Sequence, residues 1–274
     1  MLHERVFLDS ENPNVYIDTY IADNRSIIRD AMLVIPGGGY SQVCTNREGE
    51  PIALAFLAKG YNCFVLNYRV DKIPYPSQLI DASRAVLHIR DNAEKYNVDK
   101  SRVFTVGFSA GGHLAGSLAI LHNDPRVLSA LGISEGENRP DAVIMCYPVV
   151  SALLPTHKPS FEHLTGGISF DEIPYDLKRE LSLEARVNKS SAPLFIWHAA
   201  GDGLVPTNGS LALAQRYIDE KINVMLKIYP KGTHGLALAN RLTAEGSPTL
   251  IHSIAEKWID EADEWLQALE TLNE

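Results

Sequence analysis

Residues 102–120 read RVFTVGFSAGGHLAGSLAI, an apolar run that passes into a stretch of small residues, and Ser109 stands at the junction. RVFTVGF is rich in β-branched and aromatic residues, as a buried strand is. AGGHLAGSLAIL continues as a helix until NDP breaks it at Pro125. Gly107-Phe108-Ser109-Ala110-Gly111 therefore places G-x-S-x-G between a strand and a helix, the setting of a nucleophile elbow. In that turn the serine is strained, and a side chain two residues to either side would strike neighbouring backbone. A serine that merely caps a helix is common, but a cap requires no flanking glycines and no further Gly112.

Outward from this stretch, short β-branched runs alternate with helical patterns, which predicts a mostly parallel sheet with helices on both faces. RVFLD (5–9) and NVYIDTYIA (14–22) read as an opening hairpin, and AMLVIP (31–36) as a buried strand that stops at GGGY (37–40). Residues 48–59 carry Ile52, Ala55, Phe56 and Ala58 at helical spacing, with Gly60 as the stop. NCFVLNY (62–68) is a strand, and residues 77–96 form a helix with Leu79, Ala82, Ala85, Val86 and Ile89 on one face. DAVIMCYPV (141–149), PLFIWHA (193–199) and NVMLKIYP (223–230) complete the strands, with helices over 208–221 and Pro248–Leu269. Residues 151–190 depart from the alternation through Pro155, Pro159, Pro174, Gly166 and Gly167. So long an irregular connection is expected to be a small cap inserted in a single domain spanning residues 1–274.

A serine hydroxyl becomes a nucleophile only when a base takes its proton and an acid orients the base. Asp202 follows PLFIWHA and His234 follows NVMLKIYP, so both fall on the sheet edge that presents Ser109, in the order Ser, Asp, His. A turn residue beside Gly201 and Gly203, and a surface histidine, are the plainer alternatives for these two. His113 is expected to pack beneath its helix, and His198 to fill the core or support Asp202. His157, His163 and His252 do not follow strands. The glycine loop supplies backbone amides for an oxyanion: Gly38, Gly39 and, after the nucleophile, Ala110. A phosphate loop would require a Lys-Ser/Thr ending, which is missing.

The chain has 274 residues, a formal net charge of −9 and a pI near 5.5, with 45% hydrophobic residues. This is an ordinary globular composition without a basic footprint for nucleic acid. MLHERVFLDSENPNVYIDTY lacks the apolar core of a secretory signal, and no run is long enough to span a membrane, so a cytoplasmic protein is expected. Cys44, Cys63 and Cys146 show no disulfide or zinc spacing. No metal or organic cofactor is needed. Tyr40, Phe161 and Leu204 are the candidate substrate contacts, and homo-oligomerisation is compatible with the sequence.

PGGGY (36–40), REGEPIALAFLAKGY (47–61), VLNYRV (65–70), PYPSQLIDASRAV (74–86), GFSAGGHLAGSL (107–118), FIWHAAGDGLVP (195–206) and PKGTHGLALA (230–239) together resemble the α/β-hydrolase esterases grouped with bacterial acetyl xylan esterases and feruloyl esterases, relatives of the hormone-sensitive-lipase type. The resemblance implies an α/β-hydrolase fold and a serine carboxylesterase acting on small-molecule esters with short, acetyl-type acyl groups, probed in such proteins on acetylated sugars. Carried over by position, Ser109 is the nucleophile, Asp202 the acid, His234 the base, and Gly38, Gly39 and Ala110 the oxyanion donors. Pro36 stands where the lipase relatives carry His, which agrees with the acetyl-esterase branch. Gly201 replaces the first of two acids found in many relatives, which leaves Asp202 alone in that loop. An aryl formamidase and a catalytically silent hydrolase-fold binding protein are the competing readings.

Overall fold

The computed structural model describes residues 1–23 and 27–272; positions 24–26 and 273–274 of the expected domain lie outside the described residues. Among the described residues eight strands form one sheet. Their order is β1 (Arg5–Phe7), β2 (Tyr16–Tyr20), β4 (Asn62–Asn67), β3 (Arg29–Ile35), β5 (Val98–Phe108), β6 (Ala142–Cys146), β7 (Leu194–Ala199) and β8 (Val224–Tyr229). The opening hairpin is antiparallel and β2 runs antiparallel to β4, whereas β3 to β8 are mutually parallel.

Alternation along β3 shows how the sheet divides the interior. Ala31, Leu33 and Ile35 enter one core with Leu79, Leu114 and Leu213. Met32 and Val34 enter the other with Phe56 and Trp258. Every residue of β6 and β7 is buried, which explains why these strands read as continuous apolar runs.

The predicted helix over 48–59 is divided at Gly49 into α1 (Thr45–Glu48) and α2 (Glu50–Ala58), because Gly49 takes φ −109°, ψ −97°. The helix at 77–96 is likewise divided at Asn92 into α3 (Ser77–Asp91) and α4 (Ala93–Tyr96). Behind Ser109, α5 (Ala110–Ile120) is buried on all sides. Its small residues have a steric reason: a Cβ on Gly116 would lie 2.7 Å from Leu183 Cδ1 and 2.8 Å from Met145 Cε.

α6 (Pro125–Leu131) precedes β6, and the irregular segment after β6 holds α7 (Lys158–Leu164) and α8 (Tyr175–Leu181). Phe161, Leu164, Phe170, Ile173 and Leu181 of this segment are buried in the same core as α3 and α5. α9 (Asn208–Asp219) follows β7. The closing helix begins later than expected: α10 covers Trp258–Leu272, and short 3-10 turns at Pro248–Leu250 and Ala255–Lys257 replace its first part. His252 ties that stretch down, its amide donating to Ala239 O at 2.8 Å and its Nε2 to Pro230 O at 2.8 Å. No helix among the described residues is long and apolar enough to cross a membrane.

Candidate active site

Parallel strands deliver their carboxyl ends to one edge of the sheet, where four loops meet: 36–44 after β3, Ser109 after β5, 200–206 after β7 and 230–239 after β8. Ser109 has φ 53°, ψ −118°, a positive φ rare for a residue with a side chain and found where surrounding structure over-determines it. Its amide donates to Cys146 O at 3.0 Å, and its carbonyl accepts from the amides of His113 and Val149, each at 3.1 Å. The flanking glycines are sterically required. A Cβ on Gly107 would meet Gly111 O at 2.2 Å, and one on Gly111 would meet Ile35 O and Pro36 O at 2.3 Å.

Ser109 Oγ lies 2.9 Å from His234 Nε2, and His234 Nδ1 lies 2.7 Å from Asp202 Oδ2. A carboxylate only accepts, so Nδ1 carries the proton and Nε2 is free to accept from the serine hydroxyl. The other oxygen of Asp202 accepts from the amides of Leu204 and Val205, both at 2.9 Å. Burial alone would push this carboxyl up; the hydrogen bonds from His198 and His234, the His234 charge and the Val205 amide outweigh it and hold the group well below the usual carboxylate range. His198 thus has both of the roles weighed for it. It is fully buried, its Nε2 sits 2.9 Å from Val205 O and 3.2 Å from Asp202 Oδ2, and its Nδ1 accepts from Ser210 Oγ at 2.9 Å.

The amides of Gly38, Gly39 and Ala110 have no acceptor among the described residues. That of Ala110 opens α5, where unpaired N–H groups and the helix dipole favour negative charge. Gly37 is different, for its amide donates to Glu48 Oε2 at 2.8 Å. Gly38 and Gly39 border a cleft of about 240 Å³ together with Ser109 and His234. Cys44, Arg47 and Glu48 form one wall, and His157, Pro159 and His163 reach in from the segment after β6. Leu204, 51% exposed, stands at the rim. A larger, open hollow of about 750 Å³ beside Asn123–Arg126 and α8 holds no part of this group. Its Arg126 is already paired with Asp124 and Glu180.

Of the three expected substrate contacts, only Leu204 borders the cleft. Tyr40 is 1% exposed because its hydroxyl is used internally: it donates to His113 Nδ1 at 2.8 Å, while His113 Nε2 donates to Leu181 O at 2.8 Å. Phe161 is also 1% exposed, with its ring edge-on to His113 at 5.6 Å. Both pack beneath the cleft, so the expectation that they touch substrate is corrected. His157, His163 and Glu48 also border the cleft, with no motif in the sequence that places them there. The first two lie in a segment without periodicity, and nothing local signals where it folds back. Burial, and secondarily the nearby His234, lowers the His157 pKa, so its imidazole favours the neutral form. Its Nδ1 lies 2.8 Å from Ser160 Oγ.

The BD-FAE family model matches residues 17–217 of this chain. The endo-1,4-beta-xylanase B of Butyrivibrio fibrisolvens is 40% identical over 222 residues, which cover 79% of this chain and 34% of that protein. The acetylxylan esterase of Xylanibacter ruminicola is 30% identical over 212 residues, covering 75% of this chain and 40% of that protein. The chain thus spans between 34% and 40% of the length of these curated relatives. Among solved structures, MGS-M1, an alpha/beta hydrolase enzyme from a Medee basin deep-sea metagenome library, superimposes with a TM-score of 0.78 at 31% identity, over 97% of this chain and 96% of that one.

Proposed function

The chain belongs to the BD-FAE family and has the α/β-hydrolase fold, and from that premise we propose that it is a serine carboxylesterase that hydrolyses short-chain, acetyl-type esters of small carbohydrates. The observation that carries this reading is the unbroken chain from Ser109 Oγ through His234 to Asp202, at 2.9 and 2.7 Å, beside the amides of Gly38, Gly39 and Ala110, which have no acceptor among the described residues. His234 Nε2 takes the Ser109 proton as Oγ attacks the ester carbonyl. The resulting oxyanion is received by the amides of Gly38, Gly39 and Ala110, donors of a kind whose loss commonly costs about a hundredfold or more in rate. Collapse expels the alcohol, which leaves with the proton from His234, and an acyl-enzyme remains. Water then gives a proton to His234 and attacks the acyl carbon, releasing the acid and restoring Ser109. Asp202 holds the imidazole in the required tautomer and stabilises its charged form without taking the proton.

Two features support a small acyl group and a hydroxylated alcohol. The cleft holds only about 240 Å³, too little for a long hydrocarbon chain, and Arg47, His157 and His163 on its walls offer hydrogen-bonding groups to a hydroxylated alcohol. A relative named acetylxylan esterase agrees with that class. We treat the segment after β6 as the cap, with Leu204 and the cap histidines bordering the substrate.

Initial rates on p-nitrophenyl esters from acetyl to octanoyl, an acetylated xylo-oligosaccharide and an aryl formamide test the proposal, with Ser109→Ala as the blank. The expected result is a steep fall beyond short acyl chains, acetate release from the sugar, and no rate above background for the blank. Preference for the formamide would keep the mechanism and replace the substrate class. No Ser109-dependent rate on any of them would leave a silent scaffold.

A further inference from the structure

We infer that Glu48 is a positioning residue for the acyl transfer proposed above, its buried carboxylate tying the glycine loop that offers the oxyanion amides to the loop that carries His234. The inference rests on that esterase reading. Glu48 is 3% exposed at the end of α1, yet both its oxygens are engaged. Oε2 accepts from the Gly37 amide at 2.8 Å, and Oε1 accepts from the Tyr147 hydroxyl at 2.7 Å. The Tyr147 oxygen in turn accepts from the amide of Ala237, three residues past His234, at 3.0 Å. The Tyr147 ring meets the His234 imidazole edge-on, with centroids 5.1 Å apart. One carboxylate therefore touches the segments on both sides of Ser109.

Each link is held firmly. Tyr147 follows β6 with φ 38°, and its amide donates to Trp197 O at 2.8 Å, so its backbone is fixed in a sparsely populated conformation. Burial, reinforced by the Glu48 charge, raises the Tyr147 pKa well above its ordinary value, which keeps the hydroxyl a donor. A Cβ on Gly37 would lie 2.8 Å from Glu48 Oε2 and 2.9 Å from Ser109 Cβ, so this close approach excludes any side chain there. With the Gly37 amide bound to Glu48, the next two amides are the ones left for substrate. Arg47, the residue before Glu48, lies against the loop that carries His234: a Cβ on Gly235 would lie 2.6 Å from its guanidinium nitrogen.

The test measures kcat and KM on p-nitrophenyl acetate, and inhibition by a short alkyl boronic acid that forms a tetrahedral adduct on serine. The proteins are the wild type, Glu48→Gln, Tyr147→Phe and the double variant, each below its own melting temperature. A carboxamide can still accept from Gly37 but cannot also accept from Tyr147. Glu48→Gln is expected to lower kcat by about tenfold to a hundredfold, the scale of a small misplacement of reacting groups. KM should stay within about twofold, and boronate affinity should fall in step with kcat. Tyr147→Phe keeps the ring against His234 but removes the hydroxyl from both Glu48 and the Ala237 amide, and is expected to lower kcat by about tenfold; the double variant should lose less than the sum of the two single losses, since the Glu48–Tyr147 contact is cut by both changes. A folded Glu48→Gln with wild-type kcat, or strictly additive losses, overturns the inference and leaves the esterase reading standing. Should Glu48→Gln not fold, wild-type kcat in Tyr147→Phe overturns it equally. A wild type without Ser109-dependent turnover removes the esterase reading and this inference together.

Discussion

His113 and Asp202 show how single buried groups set the acid stability of this protein. His113 accepts from Tyr40 and donates to Leu181 O as a neutral imidazole; burial, offset in part by the bond to Leu181, pushes its pKa down from 6.5 to about 4. A histidine whose folded pKa lies below its unfolded value contributes stability that is complete above pH 6.5 and is lost as pH falls toward 4, because in that window only the unfolded chain takes up the proton. Between pH 7 and pH 5 the loss attributable to His113 is about 2 kcal/mol. Asp202 acts in the same direction at lower pH: its depressed folded pKa gives stability present above 3.8 and lost below it. Urea unfolding at pH 7 and pH 5 checks the first statement. The stability lost between the two pH values should shrink by about 2 kcal/mol in His113→Asn, and an unchanged loss would remove His113 from this role.

At the scale of elements, the strand-turn-helix around Ser109 depends on close backbone approach, and the glycines there are not interchangeable with others. A Cβ on Gly111 would sit 2.3 Å from two carbonyl oxygens, contacts that only movement of β3 or α5 relieves. Gly203, one residue past Asp202, has open space around its Cβ direction. Gly111→Ala is therefore expected to cost about 3 kcal/mol or more, at or beyond the upper end of core overpacking, and to abolish labelling by a fluorophosphonate. Gly203→Ala should stay within about 0.5 kcal/mol and label normally. Equal melting temperatures for the two variants would contradict the steric account. This turn was legible because its requirement is local: strand, G-x-S-x-G and helix adjoin in sequence. The break at Gly49 was not, since Ile52, Ala55 and Phe56 keep helical spacing on one side of it and hide the tight turn on the other. A Cβ on Gly49 would meet Thr45 O at 2.5 Å, and Val65 on β4 at 3.0 Å. The late start of α10 is of the same kind, fixed by His252 bonding to residues 239 and 230.

Across the whole molecule, topology accounts for what could be read and what could not. A parallel sheet forces the loops after β3, β5, β7 and β8 to one edge, so the glycine loop, Ser109, Asp202 and His234 could be brought together on paper from strand order alone. The segment after β6 obeys no such rule. Its position depends on which apolar residues it buries, and those follow no period. Phe161 illustrates the consequence: read as a substrate contact, it is instead the anchor that seats α7, with its ring against His113 at 5.6 Å and Phe170 at 6.2 Å. His157, just before α7, and His163, within it, border the cleft. If α7 serves as the wall for the alcohol part of the substrate, loosening its anchor must affect that part more than the acyl chemistry. Phe161→Ala is expected to cost about 3–5 kcal/mol from the cavity it leaves, and thus to lower Tm by roughly 6–20 °C for a chain of this size. Below the new Tm, Ser109 should still label with a fluorophosphonate. KM for an acetylated xylo-oligosaccharide should rise by about tenfold, an effect of lost binding with kcat little changed, while p-nitrophenyl acetate, whose alcohol is a flat ring without sugar hydroxyls, should be affected far less. Parallel loss on both substrates would mean that α7 supports the Ser109–His234 geometry itself, and that the sugar is held by another part of the cleft.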